Sequence, residues 1–218
     1  MKVALFADIH GNFPALQAVW SHARRLGAED FWNLGDSVGY GPFSSEVLAF
    51  LQKEYILSLR GNYDTKVLRL PEKGERWLGT KRPEKALAFR TCWESLSGED
   101  RKYLETLPEV LRLRYGGKFF FLCHGSPESP GEHLDCSTSE ERLKELGEVT
   151  GARYILCGHS HLPFDRTAGS VRFINPGSVG RPDDGDPRAS YCLLEVQKDA
   201  VQTSFYRVGY DVDQVLYG

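Results

Sequence analysis

Residues 2–7, KVALFA, form a short unbroken apolar run without helical spacing. Such a run reads as a strand covered on both faces, and it ends on the polar loop DIHGN. Asn12 offers a helix cap and Pro14 lies in the first turn. Leu16, Val19, Ala23 and Leu26 then recur at helical spacing up to Gly27. The unit repeats. "DFWNLGD" (30–36) reads as a second strand, "GPFSSEVLAFLQK" (41–53) as a second helix and "EYILSLRGN" (54–62) as a third strand. Strands alternating with helices need crossover connections, so this part of the chain predicts a largely parallel sheet.

Residues 64–108 break the rhythm. They are polar, with helical patches at 82–95 and 97–107; Ser97 can cap the latter and Pro108 stop it. "VLRLRYGGKFFFLCHG" (110–125) predicts a hairpin around Gly116-Gly117. Thr138 and Glu141 suggest a capping box for a helix ending at Gly147. "ARYILCGHSH" reads as a strand and loop. "PFDRTAGSVRFIN", "ASYCLLEVQ" and "AVQTSFYRV" read as closing antiparallel strands. A chain that starts parallel and ends antiparallel fits two stacked mixed sheets with helices outside. The expectation is one domain over 1–218, with a helical excursion at about 64–108 and a ligand site where loops leave the strand ends.

The bulk numbers narrow the class. With 218 residues, 41% hydrophobic and 26% charged, the chain has ordinary globular composition. A net charge of −3 argues against general nucleic-acid binding. No apolar stretch approaches the roughly 20 residues of a membrane span. Asp8 and His10 interrupt what would be a secretory leader. Five scattered cysteines (92, 123, 136, 157 and 192) without CxxC spacing read as reduced thiols in a cytoplasm, with Cys123, Cys157 and Cys192 in apolar runs that favour burial.

Five strand ends carry metal-type side chains: Asp8-Ile9-His10, Gly35-Asp36, Gly61-Asn62, Cys123-His124-Gly125 and Gly158-His159-Ser160-His161. In an extended loop, residues two apart face the same way, so Asp8 and His10 can reach one centre, as can His159 and His161. Two carboxylates, one amide and four imidazoles exceed what one metal requires. These N/O donors suit Mn, Fe, Co, Ni or Zn better than Ca or Mg. Two ions would need a bridge, which a two-oxygen carboxylate supplies and an imidazole does not. Two divalent ions, two carboxylates and a bridging hydroxide leave a net positive cluster suited to an anionic ester. A third carboxylate in place of Asn62 would have cancelled that surplus. Each motif alone is common by chance; the five in order are not.

The ordered set DxH…GD…GN…H…GHxH resembles the calcineurin-like metallophosphoesterases, and in particular the small YfcE-like phosphodiesterase branch. "NPGSVGRPDDGDPRASY" (175–191) is similar to that branch's closing segment, and the likeness runs over about 1–207, weakest across 65–110. The resemblance implies an α/β/β/α sandwich and a phosphoesterase, foremost a phosphodiesterase, in which hydroxide held between two divalent ions attacks phosphorus. It implies one ion on Asp8, His10 and His161, another on Asn62, His124 and His159, and Asp36 bridging both, with manganese the first choice. Asp36, Asn62 and Tyr63 are the catalytic candidates.

Tyr63 departs from the pattern, which in many members places a proton-donating His before Asp64. A phenol is a weaker acid near neutrality but still donates a hydrogen bond. YfcE-like members also lack this His, so Tyr63 reads either as a substrate contact or as an aromatic lid or packing residue; Asp64 is left without a clear role. Arg181 reads as a phosphate clamp or as an ordinary loop arginine. Arg60 could face away, Arg188 reads as structural, His22 as surface and His133 as an exposed loop residue. The expected partner is a small phosphoester, with no membrane and with assembly of identical copies left open. The alternatives are a phosphomonoesterase, a dinucleoside-polyphosphate hydrolase, and a non-catalytic scaffold like the retromer subunit that resembles this fold.

Overall fold

The computed structural model describes residues 1–216. Two five-stranded sheets lie face to face with helices on both outer sides, the expected four-layer α/β/β/α arrangement. The first sheet contains β1 (Lys2–Phe6), β2 (Asp30–Asn33), β3 (Leu57–Ser58), β9 (Ala189–Val196) and β10 (Val201–Val208), in the order β10-β9-β1-β2-β3. The second contains β4 (Val110–Tyr115), β5 (Lys118–Cys123), β6 (Tyr154–Leu156), β7 (Pro163–Ala168) and β8 (Val171–Pro176), in the order β4-β5-β6-β8-β7. Strand β1 runs parallel to β2, and β2 to β3, through crossovers carrying α1 (Phe13–Arg25) and α2 (Ser44–Lys53).

The unbroken apolar runs follow from this layering. In β1, Val3 and Leu5 point between the sheets, where they meet Trp32, Phe120, Leu122 and Leu156. Ala4 and Phe6 point outward beneath Leu16, Val19 and Leu48 of the helices. Both faces are dry, so both parities must be apolar. On the second sheet, Phe121, Ile155 and Phe173 face α7 (Glu140–Thr150) through Leu143 and Leu146.

The segment 64–108 is more helical than its polarity suggests. It holds α3 (Asn62–Leu68), α4 (Leu70–Leu78), α5 (Pro83–Ser95) and α6 (Gly98–Thr106). Val67, Leu78, Phe89 and Leu104 join the same apolar cluster as α1 and α2. Ser97 caps α6 as anticipated, its hydroxyl accepting from Asp100 N at 3.1 Å. The short helix α8 (Asp213–Leu216) closes the described chain.

Other expectations need correction. The third strand is only two residues long, because the Arg60 amide leaves the ladder to bond Pro108 O at 2.8 Å and α3 begins at once. The cap of α7 is Ser139, which accepts from Arg142 N; Thr138 instead closes the preceding turn by accepting from Asp135 N. That helix runs through Gly147 to Thr150. Glycine is required at 147 by close approach, since a Cβ there would lie 2.8 Å from Val171. Residues 163–175 form a hairpin rather than one strand, and β8 pairs parallel to β6, so the closing strands are not all antiparallel.

Phe120 sits at 0% exposure between the sheets. Phe120→Ala should lower unfolding free energy by about 3–5 kcal/mol in urea titrations. A loss under about 1 kcal/mol would mean that the inter-sheet layer does not hold the two sheets together.

Candidate metal centre

All five motif loops leave the C-terminal ends of strands at one end of the sandwich: β1, β2 and β3 in one sheet, β5 and β6 in the other. Backbone bonds stitch the loops together. Asp8 N donates to Gly35 O at 3.0 Å, His10 N to Asp36 O at 2.9 Å and Gly158 N to His124 O at 2.7 Å. Gly61 is dictated by crowding, because a Cβ there would stand 2.1 Å from Asp36 Oδ1.

Six of the seven predicted donors fall into two triads. Asp8, His10 and His161 offer ligand atoms within 4.8 Å of one another, and Asp36, His124 and His159 do the same. The triads adjoin. Asp36 Oδ2 lies 3.2 Å from His124 Nε2 and 3.8 Å from His10 Nε2, and Asp8 Oδ1 lies 3.8 Å from His124 Nε2. His159 and His161 therefore serve different triads. Their φ angles of 67° and 59° are not those of an extended loop, and Asp8 and His10, at 55° and 51°, share one triad all the same. Asn62, the seventh, lies beside the second triad, with Nδ2 2.8 Å from His159 Nδ1 and Oδ1 accepting from Lys66 Nζ at 3.0 Å. A half-turn of its amide would bring the oxygen to the histidine side.

Backbone carbonyls orient three imidazoles. His124 Nδ1 bonds Leu34 O at 2.9 Å, His161 Nδ1 bonds Arg181 O at 2.6 Å and His10 Nδ1 approaches Val38 O at 3.4 Å. Each contact turns Nε2 inward, the usual outer support of a metal-binding histidine. Two buried atoms at the centre, Asp8 Oδ1 and His124 Nε2, have no hydrogen-bond partner among the described residues. Buried polar atoms without partners are costly, and a cation would satisfy both.

The electrostatics divide the histidines. Burial holds His10 down at about 4, and burial together with the nearby His124 does the same to His159. Burial also opposes charge on His124, but the Asp36 and Asp8 carboxylates outweigh it and lift it to about 9. His161 is raised in the same way by Asp8. Against burial, these imidazoles hold Asp8 and Asp36 below the usual carboxylate range.

Several residues have roles that sequence reasoning missed. Asp64 is buried and clamps two loops, Oδ1 accepting from Val38 N at 3.0 Å and Oδ2 from Gly61 N at 2.8 Å. Burial and the Asp36 charge push its carboxyl up to about 7. The closing segment NPGSVG braces the site: Asn175 donates to Gly158 O, Ser178 to Asp8 O, and Gly180 N to Asp8 O. The runs of short polar residues beside glycines were the available signal.

Tyr63 is buried, stacks on Phe89 with centroids 4.7 Å apart and meets His10 edge-on at 5.0 Å. Its hydroxyl donates to Tyr40, and burial followed by that bond pushes the phenol well above its ordinary pKa. Arg181 is half exposed, its guanidinium 4.7 Å from the Tyr40 ring and 3.4 Å from Asp183. Arg60 faces away onto Glu109, and Arg188 pairs with Asp186 outside the centre. His133 is exposed, as expected, although its ring stands 6.4 Å from His159. His22 is not a free surface residue, since it is half-buried and bonds Tyr191 OH at 2.8 Å. Cys123, Cys157 and Cys192 are buried free thiols. Among the described residues, no helix is long and apolar enough to cross a membrane.

Residues 1–199 match the calcineurin-like phosphoesterase superfamily domain. An uncharacterized protein of Methanocaldococcus jannaschii, MJ0912, is 31% identical over 96% of this chain and 88% of its own. The phosphodiesterase YfcE of Escherichia coli K12 is 28% identical over 89% of this chain and 88% of its own. A metallophosphoesterase crystal structure from Sphaerobacter thermophilus superposes with a TM-score of 0.81 at 29% identity, covering 99% of this chain and 91% of that one.

Asp64→Asn replaces one acceptor with an NH₂ group that confronts a backbone donor. The expected loss is about 1–3 kcal/mol in urea denaturation, with roughly 10–100-fold weaker metal binding by calorimetry. Unchanged values for both would remove Asp64 from the support of the site.

Proposed function

The chain belongs to the calcineurin-like phosphoesterase superfamily, and from that membership we propose that it cleaves phosphodiesters with two divalent cations. One would be held by Asp8, His10 and His161 and the other by Asn62, His124 and His159, with Asp36 shared by both. The observation that carries this reading is the pair of adjoining donor triads around two partnerless buried atoms, Asp8 Oδ1 and His124 Nε2. When bound, such cations supply Lewis acidity and lower the pKa of water at the centre.

The chain's own residues supply position and charge. The carbonyls of Leu34, Val38 and Arg181 fix the imidazoles. Burial keeps His10 and His159 neutral, at about 4, whereas His124, lifted to about 9, would have to give up a proton for a cation to bind. Asn62 contributes an amide where a carboxylate would cancel positive charge, which favours an anionic ester. Arg181, beside Tyr40 at the rim, is positioned to meet a phosphate oxygen. Tyr63 keeps its proton at all ordinary pH and braces His10. Its phenol, engaged by Tyr40, acts on the leaving group only if that bond is exchanged. The N/O donor set without thiolate suits manganese, iron, cobalt, nickel or zinc, and the family resemblance makes manganese the first choice. Free, mostly buried cysteines fit a cytoplasmic setting. The substrate is a small phosphoester, handled by one domain spanning 1–218.

Asp36→Ala should reduce turnover of bis-p-nitrophenyl phosphate by on the order of 10²–10³ or more and lower the bound metal count, with the circular dichroism spectrum unchanged. A metal-loaded wild type that hydrolyses only the monoester, or a fully active variant, would overturn the reading. Tyr63→His restores an imidazole where a general acid is typically worth ~10²–10⁴ in rate. It should accelerate diesters with an alkoxide leaving group more than those releasing nitrophenolate. Equal changes for both would exclude position 63 from proton donation.

A further inference from the structure

The helical segment beyond Asn62 carries a charge arrangement that the metal centre does not use. Lys66 of α3, Lys73 of α4, Lys85 of α5 and Lys81 in the loop between α4 and α5 line one cavity of about 140 Å³ with Trp77 and Phe89. All four lysines are half-buried rather than extended into solvent. Their ammonium groups lean over aromatic rings: Lys73 and Lys81 lie 4.5 Å and 4.7 Å from the Trp77 centroid, and Lys66 and Lys85 lie 5.3 Å and 5.2 Å from that of Tyr63. Among the described residues the lysines paired with carboxylates are Lys2, Lys53 and Lys144, and none of these four. Of the acids close to this group in sequence, Glu75 is taken by Arg90, and Glu72 and Glu84, beside Lys73 and Lys85, are exposed and form no ion pair with them among the described residues.

Four like charges turned into one small cavity repel one another, and the aromatic faces offset only part of that. An ordinary solvated surface would let long lysine side chains separate. The arrangement suits an anion with several oxygens. The cavity is well below the ~300–1,000 Å³ of sites that take a whole small ligand, so it fits one end of a ligand whose other end lies elsewhere. That elsewhere is adjacent. Lys66 lines the cavity and also donates to Asn62 Oδ1 at 3.0 Å. The aromatic floor runs from Trp77 to Phe89 at 5.1 Å, to Tyr63 at 4.7 Å and to His10 at 5.0 Å.

We propose that the Lys66, Lys73, Lys81 and Lys85 cavity, floored by Trp77, is a polyphosphate subsite, and that the substrate carries further phosphate groups beyond the one cleaved at the metal centre. This rests on the phosphodiesterase reading above and names the substrate class within it. The extra phosphates lie among the ammonium groups while the reacting phosphorus sits at Asn62 and Asp36. The subsite also raises the local concentration of anionic substrates, an effect that weakens with salt.

The test uses two nitrophenyl esters that release the same leaving group: the 4-nitrophenyl ester of AMP, and the 4-nitrophenyl ester on the terminal phosphate of ATP. The metal-loaded wild type should prefer the triphosphate ester in kcat/KM by at least tenfold, with the preference shrinking as salt rises. Lys73→Ala/Lys81→Ala should reduce that preference at least tenfold through KM, and Lys73→Arg/Lys81→Arg should largely retain it. Calorimetry with the β,γ-methylene analogue of ATP gives a readout apart from turnover, and its affinity should fall in parallel. A preference unchanged within twofold in the Ala variant, or no preference in the wild type, overturns the subsite. A single-stranded oligonucleotide that binds as tightly as the analogue overturns the small-ligand assignment. If the wild type hydrolyses neither ester yet binds the analogue through these lysines, the phosphodiesterase reading fails and the subsite stands.

Discussion

The centre of this protein depends on backbone held where most residues do not go. Asp8, His10, Asp36, His159 and His161 all have φ between 51° and 67°, the left-handed region that non-glycine residues rarely occupy. Such positions cost about 1–3 kcal/mol each. Five together rival the roughly 5–15 kcal/mol net stability of an ordinary domain. They persist because the surrounding loops over-determine them. The amides of Asp8 and His10 are fixed on the Asp36 loop, that of Gly158 on His124, and those of Val179 and Gly180 on Ala7 and Asp8. The left-handed turns aim short side chains from separate strands at a common point, which extended loops would not do.

The two sheets make that convergence possible. Each contributes strand ends to the same edge of the sandwich, and the apolar layer between them, from Val3 and Leu5 to Phe120 and Leu156, sets their separation. The helical segment after Asn62 then closes one side. Asp64 ties the Asp36 loop to the start of α3, and Tyr63 links His10 to Phe89 and Trp77. A change in the helices is thereby felt at the donors through packed rings and shared hydrogen bonds.

Charge completes the design. Two buried carboxylates face four imidazoles, and the competition between burial and pairing leaves His10 and His159 neutral but lifts His124 and His161. A metal ligand must be a neutral imidazole, so at His124, lifted to about 9, cation binding would be linked to proton release. The lysine-lined cavity beside this centre makes one end of the molecule attractive to anions although the whole chain is net negative.

Much of this was legible in the linear chain. The double-sided apolar runs required covered strands, the alternation of strand and helix required parallel pairing, and the glycine-flanked donors marked the loop ends. Seven candidate donors could be named because their chemistry is local, and six of them fall into the two triads. Contacts between remote segments were not legible. The Asp64 clamp, the Tyr63 hydroxyl on Tyr40 and the parallel insertion of β8 depend on backbone twist and on neighbours far away in the chain. The lysine cavity is the sharpest case, because in sequence its residues are scattered charges among glutamates. Only the folding of α3, α4 and α5 around Trp77 and Phe89 turns them inward, since which face of a short polar helix is covered is settled by what packs on it.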